Sequence, residues 1–159
     1  MKLQDLRDEC FQEFGFLDET VRLLNQIPEM SKERGLNVFE KAGTAHLLGN
    51  IYTGVENILK RVCTYCGVTL PSGDTSHLTL LEFFCERPNH PAQLPILIPK
   101  SIEFNMMQLR KFRHRVMHGY GFLFDDEPLL KAIERIPNIY SILQGETQSF
   151  LKRIEDNEK

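Results

Sequence analysis

The sequence predicts an all-α protein, a four- to five-helix up-and-down bundle. Two observations predict it. Apolar residues recur at alternating spacings of three and four over most of the chain, and no strand-like alternation of any length occurs. A third sets the helix boundaries: Pro- and Gly-containing stretches separate the apolar stripes. At 159 residues the chain is long enough to bury a core and short enough for one domain spanning 1–159. Its 42% hydrophobic and 26% charged residues are those of a folded globule, not a disordered chain.

The first stripe runs through Leu3, Leu6, Cys10, Phe14, Leu17, Val21 and Leu24, at spacings of 3, 4, 4, 3, 4 and 3. Ile27-Pro28 is expected to end that helix, because the residue before Pro is pushed from the α region. Ser31 is the expected cap of a second, long helix. That helix carries Ala42, Ala45, Leu48, Tyr52, Val55, Leu59 and Val62 as its stripe. Gly43, Gly49 and Gly54 interrupt it, which predicts close packing against a neighbour. Glu56 and Lys60 are expected as an i,i+4 pair on its outer face, and Gly67 as its stop.

Residues 67–75 read as a loop, with Thr75 or Ser76 capping a short helix through Leu78, Leu81, Phe84 and Cys85. Pro88, Pro91, Pro95 and Pro99 then exclude a helix, so this stretch is an extended connection spanning the bundle. Ser101 opens the next helix, which is expected to stop near Gly119. Asp125-Asp126-Glu127-Pro128 reads as a helix start, with acids at the positive end of the helix dipole. From it Leu129, Ile133, Ile136, Tyr140, Leu143, Thr147, Phe150 and Ile154 form the last stripe, with a kink expected at Pro137.

The net charge of −3 argues against a nucleic-acid coat over the whole surface. It leaves room for a local patch, and residues 110–120 supply one. Arg110, Lys111, Arg113, His114, Arg115 and His118 fall there with no acid among them. On a helical wheel Arg113 lands inside the apolar stripe of Ile102, Met106, Leu109, Phe112, Val116 and Met117. A charge on such a face is costly unless paired. Arg113 is therefore either half of a buried ion pair or points into a wet cleft or interface. His118 lies about 140° from Arg113 on an ideal helix and groups with His114 and Arg115 instead.

Arg113-His114-Arg115-Val116-Met117-His118 resembles the Arg-x4-6-His signature of HEPN domains, in which a polar residue, here His114, commonly follows the Arg. With Gly119 and Tyr120 it takes the Arg-x4-His-x-Tyr form typical of HepT-like toxins. Phe112, Gly121-Phe122, Tyr52-Thr53-Gly54-Val55-Glu56-Asn57-Ile58 and Leu70-Pro71-Ser72-Gly73 also look like that family. The resemblance covers residues 40–155. It implies the toxin of a type II toxin–antitoxin system, a metal-independent endoribonuclease that needs no cofactor. It also implies a homodimer in which two Arg-His motifs meet in an interface cleft. The implied partner is an MntA-like nucleotidyltransferase antitoxin, which would silence the toxin by transferring AMP to Tyr120.

RNA cleavage without a metal uses the ribose 2′-OH against the adjacent phosphate. It needs a base, an acid for the leaving oxygen, and positive charge on the phosphorane. Imidazole suits proton transfer near neutral pH and guanidinium suits a phosphate. His118 is the expected proton-transfer group, two being present in a symmetric dimer, and Arg113 the phosphate stabiliser. His114 is a supporting residue, and Arg110, Lys111 and Arg115 would track the RNA backbone. The alternatives are a non-catalytic HEPN module serving a nucleotidyltransferase, or a plain helical dimerisation domain.

Other signals point less far. Cys63-Thr64-Tyr65-Cys66 lacks two further ligands at zinc spacing and the β-α-β setting of a redox motif. Cys10, Cys63, Cys66 and Cys85 read as free thiols of a reducing compartment. His46, His77 and His90 carry no constellation. No apolar run follows Met1 and none reaches roughly 18 residues, so neither a signal peptide nor a membrane span is expected, and the location expected is cytoplasmic.

Overall fold

The computed structural model describes residues 1–119 and 124–159. The apolar stripes become helices: α1 (Leu3–Leu24), α2 (Ile27–Ser31), α3 (Val38–Tyr65), α4 (Ser76–Phe83), α5 (Lys100–His118) and α6 (Asp126–Asn157). Among the described residues there is no strand, only an isolated bridge between Cys85 and Ile98. None of the helices is long and apolar enough to cross a membrane.

α3 is the central element, packed against α1, α4, α5 and α6. Leu6, Cys10, Phe14, Leu17 and Leu24 bury the stripe of α1, and Leu48, Ile51, Val55, Ile58, Leu59 and Val62 bury that of α3. Arg61 ties the two helices at the surface, 2.9 Å from Glu9 and 3.1 Å from Glu13. α6 buries Leu129, Ile133, Ile136, Ile139 and Leu143 against the same core. It continues through Pro137. The proline-rich connection lies on the core as expected. Leu94, Leu97 and Ile98 are buried, and the Phe84 carbonyl accepts from both Leu97 N and Ile98 N.

Several boundaries differ from the sequence reading. α1 ends at Leu24, before Ile27-Pro28, and Pro28 instead occupies the first turn of α2, where its missing N–H costs nothing. Ser31 does not cap the long helix. It is the last residue of α2, and its hydroxyl donates to the Pro28 carbonyl. The cap is Asn37, whose side chain accepts from Glu40 N at 2.8 Å while the Glu40 carboxylate accepts from Asn37 N at 3.0 Å. This reciprocal pair is a capping box. Gly67 stops α3 with φ +71°, and Val68 N donates back to the Cys63 carbonyl. α6 starts where its acids predict, and Asp126 Oδ2 accepts from Leu36 N at 3.0 Å.

Of the three glycines of α3, only Gly54 has the predicted close neighbour. A Cβ there would lie 2.6 Å from Leu17 Cδ2 and 3.0 Å from Leu17 Cγ, whereas at Gly43 and Gly49 it would meet nothing within 4 Å. Glu56 also departs from expectation. It faces inward and is 2% exposed, although Lys60 does lie one turn on, at 3.8 Å.

Leu17 is itself sealed in the core and has nowhere to go. Gly54→Val is therefore expected to cost about 1–3 kcal/mol by overpacking. Gly49→Ala is expected to gain up to about 1 kcal/mol from helix propensity. Urea midpoints at unchanged slope check both signs.

Candidate active site

The core stripe of α5 ends one turn after Leu109. Ile102, Met106, Leu109 and Phe112 are buried, Val116 is half-buried, and Met117 is 64% exposed. Arg113 sits where that stripe opens. Its Nε donates to Thr53 Oγ1 at 3.3 Å, and its guanidinium carbon lies 5.5 Å from the centre of the Tyr52 ring. Thr53 is oriented in turn, because its hydroxyl donates to the Gly49 carbonyl. Both contacts place the guanidinium, and neither neutralises it. The sequence left two options for Arg113, and the structure takes the cleft rather than the ion pair.

The contrast is with the arginines of α1, α3 and the connecting loops, since Arg135 and Arg153 on α6 have no ion-pair partner among the described residues either. Arg7, Arg22, Arg34, Arg61 and Arg87 each meet a carboxylate. Among the described residues none of Arg110, Lys111, Arg113 and Arg115 has an ion-pair partner within 4.0 Å. Arg110 Nε is buried with no hydrogen-bond partner, and so is the hydroxyl of Tyr52. Burial, and after it the charge of Glu56, push the Tyr52 phenol up. Interaction of the hydroxyl with the Glu56 carboxylate, one turn on, acts in the same direction, so the phenol stays protonated.

His118 packs against His114 one turn back, with ring centres 4.4 Å apart and planes tilted by 51°, as the wheel predicts. Arg113 and His118 nevertheless bound the same cleft, of about 510 Å³. The α5 residues lining it, Arg110 to His118, span an arc of about 140°. The cleft is broad enough to reach both edges of that arc, so α5 need not unwind to bring the two together. Its opposite side is built from the loop before α4 and from α4 itself, including Asp74 and His77.

The basic residues divide. Arg110 lines this cleft, whereas Lys111 and Arg115 line a separate groove of about 540 Å³ with Lys131, Arg135 and two acids, Asp125 and Glu127. The Arg115 guanidinium lies 4.9 Å from the centre of the Phe124 ring. Tyr120, expected as a modification site, lies outside the described residues, as do Gly121 and Phe122.

Tyr52, Thr53, Glu56 and His77 escaped the sequence reading as site residues. Tyr52 looked like an ordinary member of an apolar stripe. His77 looked isolated because its partner, Glu56, is 21 positions away. The segment Tyr52–Glu56 did stand out through the resemblance, and that was the available signal.

The remaining candidates have packing roles. His90 is hydrogen-bonded to the Leu94 carbonyl and His46 is exposed on α3. Among the described residues no three His, Cys, Asp or Glu side chains converge as a metal site. All four cysteines are free thiols. Burial pushes Cys10, Cys63 and Cys85 up to about 11. A thiol with so high a pKa stays protonated and inert at pH 8, since the thiolate is the nucleophile. Iodoacetamide at pH 8 is expected to modify the half-exposed Cys66 before the other three. Peptide mapping by mass spectrometry checks this.

Among comparisons with known proteins, a family model described as HepT-like protein matches residues 43–154. The matched span contains both Tyr52-Thr53 and the basic end of α5. No curated protein and no solved structure matches the chain.

Proposed function

The chain belongs to the HepT-like family, and from that premise we propose that it is an endoribonuclease toxin whose active site is the cleft bounded by Arg113 and His118. One observation carries the reading. Arg113 is positioned by a ring and a hydroxyl instead of a carboxylate, and it shares a cleft with an imidazole. A phosphodiester needs that combination: fixed positive charge on the phosphorus oxygens and a group that moves protons near neutral pH.

In the proposed reaction Arg113 and Arg110 hold the scissile phosphate. His118 takes the proton of the ribose 2′-OH as that oxygen attacks phosphorus. The bond from phosphorus to the 5′-oxygen then breaks as that oxygen takes a proton from a general acid, leaving a 2′,3′-cyclic phosphate and a 5′-hydroxyl. His114, packed against His118, limits the orientations of that ring. Lys111 and Arg115, in the adjacent groove, guide the flanking strand.

The toxin acts in the cytoplasm as a homodimer, in which a second copy completes the walls of the cleft. An MntA-like nucleotidyltransferase antitoxin modifies Tyr120 with AMP. Tyr120 is two residues past His118 in sequence, so an added phosphate would compete for the cations meant for RNA.

Purified protein with total RNA and EDTA is expected to cleave. His118→Ala should lower kcat by about 10²–10⁴-fold, and Arg113→Ala by about 10²–10³-fold. Equal cleavage by wild type and His118→Ala would sink the reading. Four phosphate contacts predict that log K falls against log salt with a slope of about −3 on single-stranded RNA. Joint replacement of Lys111 and Arg115 by Ala should reduce that slope by about half. A flat salt response would remove the basic residues from the interface. Co-expression with an MntA-like nucleotidyltransferase should add AMP mass that Tyr120→Phe abolishes.

A further inference from the structure

The cleft holds a second imidazole that the motif on α5 does not include. His77, in the first turn of α4, lines it opposite Arg113 and His118. Its Nδ1 is hydrogen-bonded to Glu56 Oε1. Glu56 is 2% exposed, while the side chain of His77 is 50% exposed. One partner is thus sealed in the protein and the other stands in the cleft.

A carboxylate in so buried a place is costly to maintain unless cations meet it. Glu56 has His77 and, at 3.8 Å, the more exposed Lys60. The hydrogen bond fixes Nδ1 as the atom that donates to the carboxylate. That leaves Nε2 as the atom able to exchange a proton in the cleft. A carboxylate that orients an imidazole and balances its charge when protonated is a recurrent acid–base device.

Resting on the ribonuclease reading above, we propose that His77 is a catalytic residue of the same cleft, the general acid for the leaving 5′-oxygen, and that Glu56 is its positioning residue. His118 gains the 2′-OH proton. Protonated His77 gives its Nε2 proton to the 5′-oxygen as the phosphorus–oxygen bond breaks. Proton exchange with water returns both rings to their starting states. Acid and base then both come from one protomer, so the second His118 of a dimer is not required as the acid. The titratable and charged groups facing this pair are Tyr52 and Lys60 on α3, Asp74 in the loop, and Arg110, Arg113, His114 and His118 on α5.

The test is the pH profile of kcat on a short RNA for wild type, His77→Gln and Glu56→Gln, with thermal melts alongside. Gln at position 77 keeps an N–H that can donate to Glu56, so the fold is retained while the proton donor is lost. Wild type should give a bell. His77→Gln should lower kcat by about 10²-fold or more, leave KM within a few-fold, and abolish the fall at alkaline pH that marks loss of a general acid. Glu56→Gln should shift that alkaline limb. A His77→Gln enzyme with wild-type kcat and both limbs would overturn the proposal and leave the ribonuclease reading intact. So would a loss of kcat with both limbs in place. A wild-type protein that cleaves no RNA would overturn both.

Discussion

The site depends on a guanidinium that rests on an aromatic ring instead of against a carboxylate. Arg113 is held over Tyr52 and hydrogen-bonded to Thr53, contacts that fix direction without cancelling charge. A cation–π contact of this kind is worth about 0.5–2 kcal/mol, depending on desolvation. That is enough to select a rotamer and too little to compete with a phosphate for the charge. The arrangement requires a ring that does not move, and Tyr52 is fully buried in the middle of the most heavily packed helix. The chemistry stands on α5 and α4, yet α3 organises it. Tyr52 and Glu56 lie one turn apart on one face, and Thr53 stands beside them.

The same arrangement lowers the stability of the free protein. Arg110 Nε and the Tyr52 hydroxyl are buried without protein partners. Each such group carries a desolvation penalty of about 1–3 kcal/mol relative to a satisfied one. Most of the chain avoids this, since its other arginines on α1, α3 and the connecting loops are paired. Arg110 Nε beside an unpaired Arg113 makes a local concentration of unmet donors suited to an anion, while His90 Nδ1 and Asp126 Oδ1 are further unpartnered atoms elsewhere among the described residues. A ligand with several oxygens would satisfy it at once, so an anionic ligand should raise the melting temperature through this cleft.

Much of the fold was legible because local periodicity determines it. The stripes of α1, α3 and α6, the Gly67 stop and the acidic start of α6 all follow from residues within a turn or two of one another. Errors arose where a long-range contact decided. Ser31 and Asn37 are both acceptable caps by residue type, and the five-residue α2 displaced the start of the long helix to the second. Glu56 was placed outside because a charge normally is, yet His77, across a loop, makes its inward position tenable. For Arg113 the wheel identified the anomaly but not its resolution. That lies in Tyr52 and Thr53, some sixty positions away. His118 was set apart from Arg113 by the wheel, and the breadth of the cleft unites them.

The neighbours of Glu56 also answer an electrostatic objection. A carboxylate beside a phosphate site repels the ligand, the more so in a low-dielectric setting, unless nearby cations offset its charge. The Glu56 side chain is covered, with one oxygen hydrogen-bonded to His77 and the other facing Lys60. An anion in the cleft meets imidazole on that side, and meets Arg110 and Arg113 on the α5 side. The only acid among the described lining residues is the exposed Asp74. The walls thus differ in chemistry without opposing each other in charge. In the proposed reaction the α5 wall would hold the phosphate, and the α4 wall would exchange protons backed by the covered carboxylate of Glu56.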